Sequence, residues 1–116
     1  MGECAALVGF AQALLLRSWR ASDGWLDPRT PHCAWLGVAC DARGRVTRLE
    51  QDWNVLFGTL PASTGDDLVH LQALLLRHNE MLRGPLPASL GRLRELEHLC
   101  AVPRRVAPRA EAPDRA

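Results

Sequence analysis

The stretch VTRLEQDWNVLFGTLPAS (46–63) is followed by a second version of itself, LQALLLRHNEMLRGPLPAS (71–89). If one extra residue is allowed in the second copy, Asn54 matches Asn79, Gly58 matches Gly84, and both copies end on Leu-Pro-Ala-Ser. A third copy begins with LRELEHL (93–99) but lacks the asparagine and the glycine. The pattern predicts two complete structural repeats and a partial third.

Each part of this repeat has a physical role. Alternating apolar residues such as Leu74 and Leu76 predict a short strand with one face in a core. Asn54 and Asn79 follow the strands, where a side chain that both donates and accepts can pair the backbone groups of a sharp turn. The two glycines permit a backbone conformation or a close approach that a side chain would block. One such unit cannot bury its own leucines, so the units are expected to stack.

The pattern resembles the leucine-rich repeat, and its Gly-x-Leu-Pro ending resembles the plant-type subclass. The preceding WRASDGWLDPRTPHCAWLGVACDARGRVTRLE (19–50) resembles the N-terminal cap of those proteins, with a tryptophan-bearing loop and a Cys-x6-Cys hairpin that encloses Trp35 and Gly37. The resemblance implies an α/β-type repeat fold: a short leucine-rich-repeat solenoid with an N-terminal helical cap and short parallel strands. Its expected parts are a cap (1–45), repeats (46–99) and a disordered tail (100–116).

Two segments flank the repeats. The apolar run AALVGFAQALLL (5–16) is shorter than the roughly 20 residues of a membrane span and has the 3,4 spacing of a helix face. That face is predicted to consist of Leu7, Phe10, Ala11, Leu14 and Leu15. The tail is rich in proline and arginine without apolar periodicity, which is typical of disorder.

The resemblance implies a disulfide between Cys33 and Cys40, with Cys4 and Cys100 unpaired. Closing this eight-residue loop would stabilise the cap by about 2.5 kcal/mol in the chain-entropy model. Because the chain shows no convincing secretory signal, two reduced, buried cysteines are the alternative. The resemblance alone implies an extracellular or cell-surface location.

Composition and motifs argue against several classes of function. A net charge of +1 argues against nucleic acid, and no nucleophile or phosphate-binding motif is present. His32 with Cys33 and Cys40 superficially offers metal ligands, but Cys-x6-Cys is not the spacing of a structural zinc site. Asp66 and Asp67 are interpreted as helix N-terminal caps rather than an acid–base pair. The sequence thus predicts no enzyme activity, no metal, no cofactor and no membrane insertion.

With these functions set aside, the sequence favours a binding surface. The resemblance places that surface on the concave face, at the outward positions of the strands. Neighbouring strands lie about 4.8 Å apart, so Asp52 should lie beside Arg77 and Trp53 beside His78. Trp53 is either an exposed ligand anchor or packed on the neighbouring coil. Gln51 occupies an inward leucine position and needs hydrogen-bond partners. The outward residues are Arg48, Glu50, Asp52 and Trp53 in the first repeat and Ala73, Leu75, Arg77 and His78 in the second.

The sequence therefore predicts a non-enzymatic recognition module that binds a protein, peptide or glycan through this face. With only two complete repeats and no closing coil, the chain is also expected to be a fragment. The alternative is thus a truncated piece of a longer receptor or inhibitor without binding activity of its own. The open C-terminal repeat would also permit self-association.

Overall fold

The computed structural model describes residues 2–100 of the chain. A four-stranded sheet with the order β1-β2-β3-β4 forms its centre. β1 is antiparallel to β2, whereas β2, β3 and β4 are parallel. The elements are α1 (Glu3–Ala13), β1 (Val38–Cys40), β2 (Val46–Glu50), α2 (Ser63–Asp67), β3 (Ala73–Leu75) and β4 (His98–Cys100), with 3₁₀ turns at Leu16–Ser18, His32–Ala34 and Ala88–Arg92.

The parallel strands follow the repeat that the sequence shows. Leu49 of β2 is in register with Leu74 of β3, which is in register with Leu99 of β4. Leu49, Leu74 and Leu76 are fully buried, as the alternation predicts. A second parallel bridge joins Gly58 to Leu82 beyond the strands. The repeat therefore stacks one coil on the next and buries a leucine core that a single coil would expose.

Helix α1 lies against this core and ends earlier than its sequence pattern indicates. Leu7, Phe10 and Leu14 are completely buried, as predicted. The prediction that Leu15 lies on the buried face is wrong: Leu15 is 46% exposed, because the helix stops at Ala13 and Leu15 takes a left-handed conformation with φ of 51°. That turn points its side chain away from the core.

An aromatic cluster fills the cap between α1 and the first repeat. Phe10 lies 5.9 Å from Trp19 and 6.0 Å from Trp25, and Trp25 lies 5.0 Å from Trp35, measured between ring centroids. All three tryptophans are buried, and each indole N–H donates to a backbone carbonyl: those of Leu14, Leu36 and Thr30. The cluster covers the leucine face of the first coil, which has no preceding coil.

The predicted disulfide is present. Cys33 and Cys40 are bonded, with Cα atoms 5.7 Å apart, while Cys4 and Cys100 are free thiols. The bond joins the turn His32–Ala34 to the end of β1 and so holds the hairpin against the cap. The alternative of two reduced cysteines does not hold for this structure.

The repeat asparagines pair backbone groups, as expected. Asn79 Oδ1 accepts from the N–H groups of Asn54 and Leu56, and its Nδ2 donates to the carbonyl of Gln51. Asn54 exchanges two hydrogen bonds with the backbone of Ala21 in the cap. Asn79 thus joins the second coil to the first, and Asn54 joins the first coil to the cap.

Gln51 has the partners that its buried position requires. Its Nε2 donates to the carbonyl of Leu36 at 2.8 Å, and its Oε1 accepts from Asn54 Nδ2 at 2.7 Å. An amide in place of an inward leucine therefore leaves no unpaired polar atom here.

The interpretation of Asp66 and Asp67 as helix caps is wrong. No side-chain hydrogen bond caps α2; Asp66 instead accepts from Arg92 Nη2 of the next coil at 2.6 Å. β4 includes Cys100, the first residue of the segment for which we predict disorder, and residues 101–116 lie outside the described residues. Within residues 2–100, each helix is too short or too polar to cross a bilayer.

Candidate ligand-binding face

The sheet has one side turned away from the leucine core, which we call the open sheet face. It is formed by alternate strand residues, in register across β2, β3 and β4, and by the residues that follow each strand. Arg48 and Glu50 of β2 are exposed there, and Arg48 Nη2 lies 3.3 Å from Glu50 Oε1. The strands thus present charged side chains at fixed positions on a hydrogen-bonded scaffold.

The second repeat contributes less surface than the sequence predicts. Ala73 is in register with Arg48, and Leu75 is in register with Glu50. Both are buried, with Leu75 only 8% exposed, because strands lie on both sides of β3. Leu75 therefore offers a small apolar surface between Glu50 and Cys100, with little area for contact.

Asp52 and Arg77 lie side by side, as the strand spacing predicts. The Arg77 N–H donates to Asp52 Oδ1 at 2.6 Å, and Arg77 Nη2 donates to Oδ2 at 2.8 Å. The hydrogen bond to Asp52, with the negative charge of the same carboxylate, raises the pKa of Arg77. The guanidinium is thus held in place on the open sheet face while about half of the side chain stays exposed.

Trp53 and His78 form a stacked pair next to the Asp52–Arg77 ion pair. Their ring centroids are 4.0 Å apart and their planes differ by 14°. Both residues precede the repeat asparagine in a left-handed conformation, with φ of 57° and 59°. Trp53 nevertheless remains 60% exposed. It therefore contacts the neighbouring coil, as one interpretation holds, and offers a large free surface, as the other holds.

β4 adds residues that the sequence analysis does not assign to this face. His98 is in register with Ala73, and Cys100 is in register with Leu75. The partial third copy, LRELEHL (93–99), is the signal that could have identified His98, because it continues the same alternation. His98 is exposed, so the face extends across three coils of the described chain.

Comparison with known proteins agrees with this geometry. Receptor-like protein 6 of Arabidopsis thaliana is 38% identical over 69 residues, which cover 58% of this chain and 7% of that protein. The leucine-rich-repeat receptor-like serine/threonine-protein kinase RGI3 of the same plant is 34% identical over 104 residues, 83% of this chain and 9% of the kinase. No protein-family model matches the chain.

Solved structures show the same fold. The crystal structure of a plant ice-binding protein superposes with a TM-score of 0.71 and 31% identity, over 83% of this chain and 30% of the other. The leucine-rich-repeat ectodomain of the Arabidopsis thaliana receptor kinase SOBIR1 gives a TM-score of 0.60 and 25% identity, over 83% of this chain and 50% of that one.

Parallel coils whose buried asparagines bond to neighbouring backbone groups define a leucine-rich-repeat protein. The Gly-x-Leu-Pro ending, the disulfide-bonded cap and the relatives narrow the class: the chain belongs to the plant-type leucine-rich-repeat proteins.

Proposed function

We propose that this chain is a non-enzymatic recognition module that binds a protein, peptide or glycan on the open sheet face. In this proposal residues 1–45 form the cap, and residues 46–99 form a short solenoid whose concave side is that face. The exposed, stacked Trp53 is the observation that carries the proposal. Large aromatic side chains in a preformed site contribute most of the binding energy of small interfaces.

Pre-organisation supports this assignment. The Trp53 N–H donates to the carbonyl of Arg77, so the backbone beneath both rings is tied to the next coil. The Asp52–Arg77 ion pair holds the guanidinium of Arg77 in place, and its two residues directly precede Trp53 and His78 in the chain. A ligand would therefore meet side chains whose conformations are already restricted, which lowers the entropic cost of binding. Arg48 and Glu50 would provide charged contacts at the edge of the same site.

The comparisons support recognition rather than catalysis. One relative is named receptor-like protein 6, and the match to the kinase RGI3 spans only 9% of that protein. The disulfide favours an oxidising compartment, as expected for an extracellular or cell-surface module. The competing proposal is a piece of a longer receptor or inhibitor that binds nothing alone. Further repeats encoded in frame downstream would favour it.

The test is a binding screen with matched variants. A random peptide display library and an array of plant cell-wall oligosaccharides are probed with the wild-type chain, Trp53→Ala and Phe57→Ala. Phe57 is an exposed aromatic residue, 42% accessible, whose N–H bonds to Leu14 at the end of α1. We expect Trp53→Ala to weaken each hit about 30-fold, equivalent to about 2 kcal/mol, while Phe57→Ala leaves it unchanged.

The free energy of unfolding of Trp53→Ala separates binding from folding. It should fall by about 1 kcal/mol, the stacking contribution of an aromatic pair. Hits that survive Trp53→Ala, or that Phe57→Ala weakens equally, would refute the assignment of the site. A wild-type chain without hits would favour the fragment alternative.

A further inference from the structure

Exposed apolar side chains also lie beyond the open sheet face, where the chain turns away from the strands. Leu15 is 46% exposed, Val55 43% and Phe57 42%. Together with the partly buried Met81, we call these residues the apolar flank. Single exposed apolar residues are ordinary in proteins, whereas several that adjoin one another indicate a contact surface.

Hydrogen bonds hold the cap part of the apolar flank against the first repeat. Ser18 Oγ lies 2.8 Å from the carbonyl oxygen of Leu15 and 3.0 Å from that of Val55. The N–H of Phe57 donates to the carbonyl of Leu14. The three exposed residues therefore belong to one bonded piece of structure, although about forty positions separate Leu15 from the other two in the chain.

Two of these side chains are exposed from a strained backbone. Leu15 has φ of 51° and Val55 has φ of 60°. A left-handed conformation is uncommon for residues with a side chain and is an outlier for a β-branched residue such as valine. Strain of this kind is concentrated at functional sites, where the surrounding structure enforces it. The exposure of Val55 thus has a conformational cost that a polar residue such as asparagine would avoid.

The second repeat extends the apolar flank. The N–H of Gly58 donates to the carbonyl of Met81. The cap, the first repeat and the second repeat thus each contribute one layer, from residues 14–20, 55–59 and 80–83. Neighbouring strands lie about 4.8 Å apart, and one turn of an α-helix rises about 5.4 Å. A helix that lies across the layers would therefore place about one turn on each.

The charges around the apolar flank are mostly positive. Arg17, Arg20 and Arg83 are exposed, and none of them forms an ion pair within residues 2–100. The three layers contain these arginines and one acidic residue, Glu80. The surroundings therefore favour an occupant with carboxylates at its edges.

We infer that the apolar flank docks an amphipathic helix of a partner protein, with leucine-like side chains on the flank and acidic side chains beside the arginines. A second copy of this chain is a poorer occupant, because a two-fold contact between the same surfaces would bring arginines against arginines. This surface is separate from the open sheet face, so both can be occupied at once.

The experiment offers the full chain two designed helical peptides, labelled with fluorescein and followed by fluorescence anisotropy. Both carry leucine at intervals of three and four residues, which forms one apolar face. One peptide has glutamate beside the leucines, and its twin has lysine. We expect the glutamate peptide to bind at least about tenfold more tightly than its twin, and its affinity should fall as salt is raised.

Two variants test the flank itself. Leu15→Asn with Val55→Asn should weaken the glutamate peptide at least about tenfold, because two apolar contacts are lost. The fold should persist, since asparagine tolerates the left-handed backbone; circular dichroism checks this. Arg17→Glu with Arg83→Glu changes only exposed side chains and should reverse the preference between the two peptides. Val69→Asn, which alters a 50% exposed valine outside the flank, is the control and should have no effect.

Further variants separate the two surfaces. Trp53→Ala should weaken only ligands of the open sheet face, and Phe57→Ala only the peptide on the apolar flank. The inference fails if neither peptide binds, if both bind equally, or if the charge-reversed variant keeps the original preference. It also fails if the chain instead sediments with phosphatidylglycerol vesicles, or forms dimers in analytical ultracentrifugation, and Phe57→Ala abolishes that association. The flank would then be a surface for lipid or for a second copy.

Discussion

At the scale of single residues, side-chain amides and carboxylates replace hydrogen bonds that the backbone cannot make to itself. Asn79 is buried and is the acceptor for two N–H groups of the preceding coil. In the hairpin turn, Asp41 Oδ1 likewise accepts from the backbone N–H groups of Arg43 and Arg45. Such turns need polar side chains because a buried, unpaired backbone group is costly.

Asn79→Ala should be among the most destabilising substitutions in the chain. It leaves the N–H groups of Asn54 and Leu56 without an acceptor, so the free energy of unfolding should fall by about 3 kcal/mol. Urea denaturation followed by fluorescence measures the change. Glu80→Ala alters the exposed neighbour and should stay within about 0.5 kcal/mol of wild type. A loss below about 1 kcal/mol for Asn79→Ala would show that water replaces the amide.

Asp41 should make the stability of the cap depend on acidity. The backbone N–H of Arg45, then its side chain and the N–H of Arg43, hold the pKa of Asp41 below its usual value. A carboxylate with a lowered folded pKa stabilises the native state above its unfolded pKa, about 3.9, and loses that contribution as pH falls through the folded value.

Asp41→Asn is the matched variant for this dependence. It keeps the shape of the side chain and removes the charge. Its melting temperature should lie below that of the wild type at neutral pH, and the gap should close as pH falls through the lowered pKa of Asp41. A gap that is constant from neutral to acidic pH would show that the ionised form of Asp41 contributes nothing.

At the scale of elements, glycine allows the helices to approach their neighbours closely. Gly65 of α2 lies against the turn Ala88–Arg92: a Cβ atom there would come within 2.6 Å of the Ser89 carbonyl oxygen. Gly58 likewise leaves space for the carbonyl oxygen of Ala13 at the end of α1, 2.7 Å from the position of a Cβ. These contacts set how tightly one coil stacks on another.

Gly65→Ala therefore tests the packing between coils. We expect the free energy of unfolding to fall by about 2 kcal/mol, because the added methyl must push the backbone of Ser89 away. Gly9→Ala is the control, since it is also helical and its Cβ would meet only the Ser63 hydroxyl at 3.6 Å. Helix propensity should make that change stabilising by up to about 1 kcal/mol. Equal effects of the two substitutions would contradict the close-packing argument.

The elements also show what the sequence could and could not predict. The pairs Asp52–Arg77 and Trp53–His78 follow from the spacing of the repeat, because strands at fixed separation bring equivalent positions together. The disulfide follows only from the family resemblance. The burial of Leu75 and the close approach of Gly65 to Ser89 depend on how coils settle against each other, and no local pattern contains that information.

At the scale of the whole molecule, cap and repeats share one hydrophobic core. The buried cluster runs from Ala6 in α1 through the cap tryptophans to Leu96 before β4. Polar bonds cross the same boundary: Glu3 of α1 accepts from the N–H of Val46 in β2 at 2.9 Å. The physical interface between cap and first coil is thus as continuous as that between the coils, and neither part has a separate core.

A shared core should make the described chain unfold in one cooperative transition. In Trp53→Phe the remaining tryptophans all lie in the cap, so denaturation followed by fluorescence reports the cap alone. The backbone N–H of Gln51 donates to the carbonyl of Leu75, so its hydrogen exchange reports the contact between the two repeats. The two free energies should agree within about 1 kcal/mol, as two-state unfolding requires. A free energy of opening at the Gln51 backbone N–H that lies at least about 2 kcal/mol below the unfolding free energy of the cap would show that the cap is a separate cooperative unit. Neither the shared core nor the hydrogen bonds of Asn54 and Asn79 would then carry stability from the cap to the repeats.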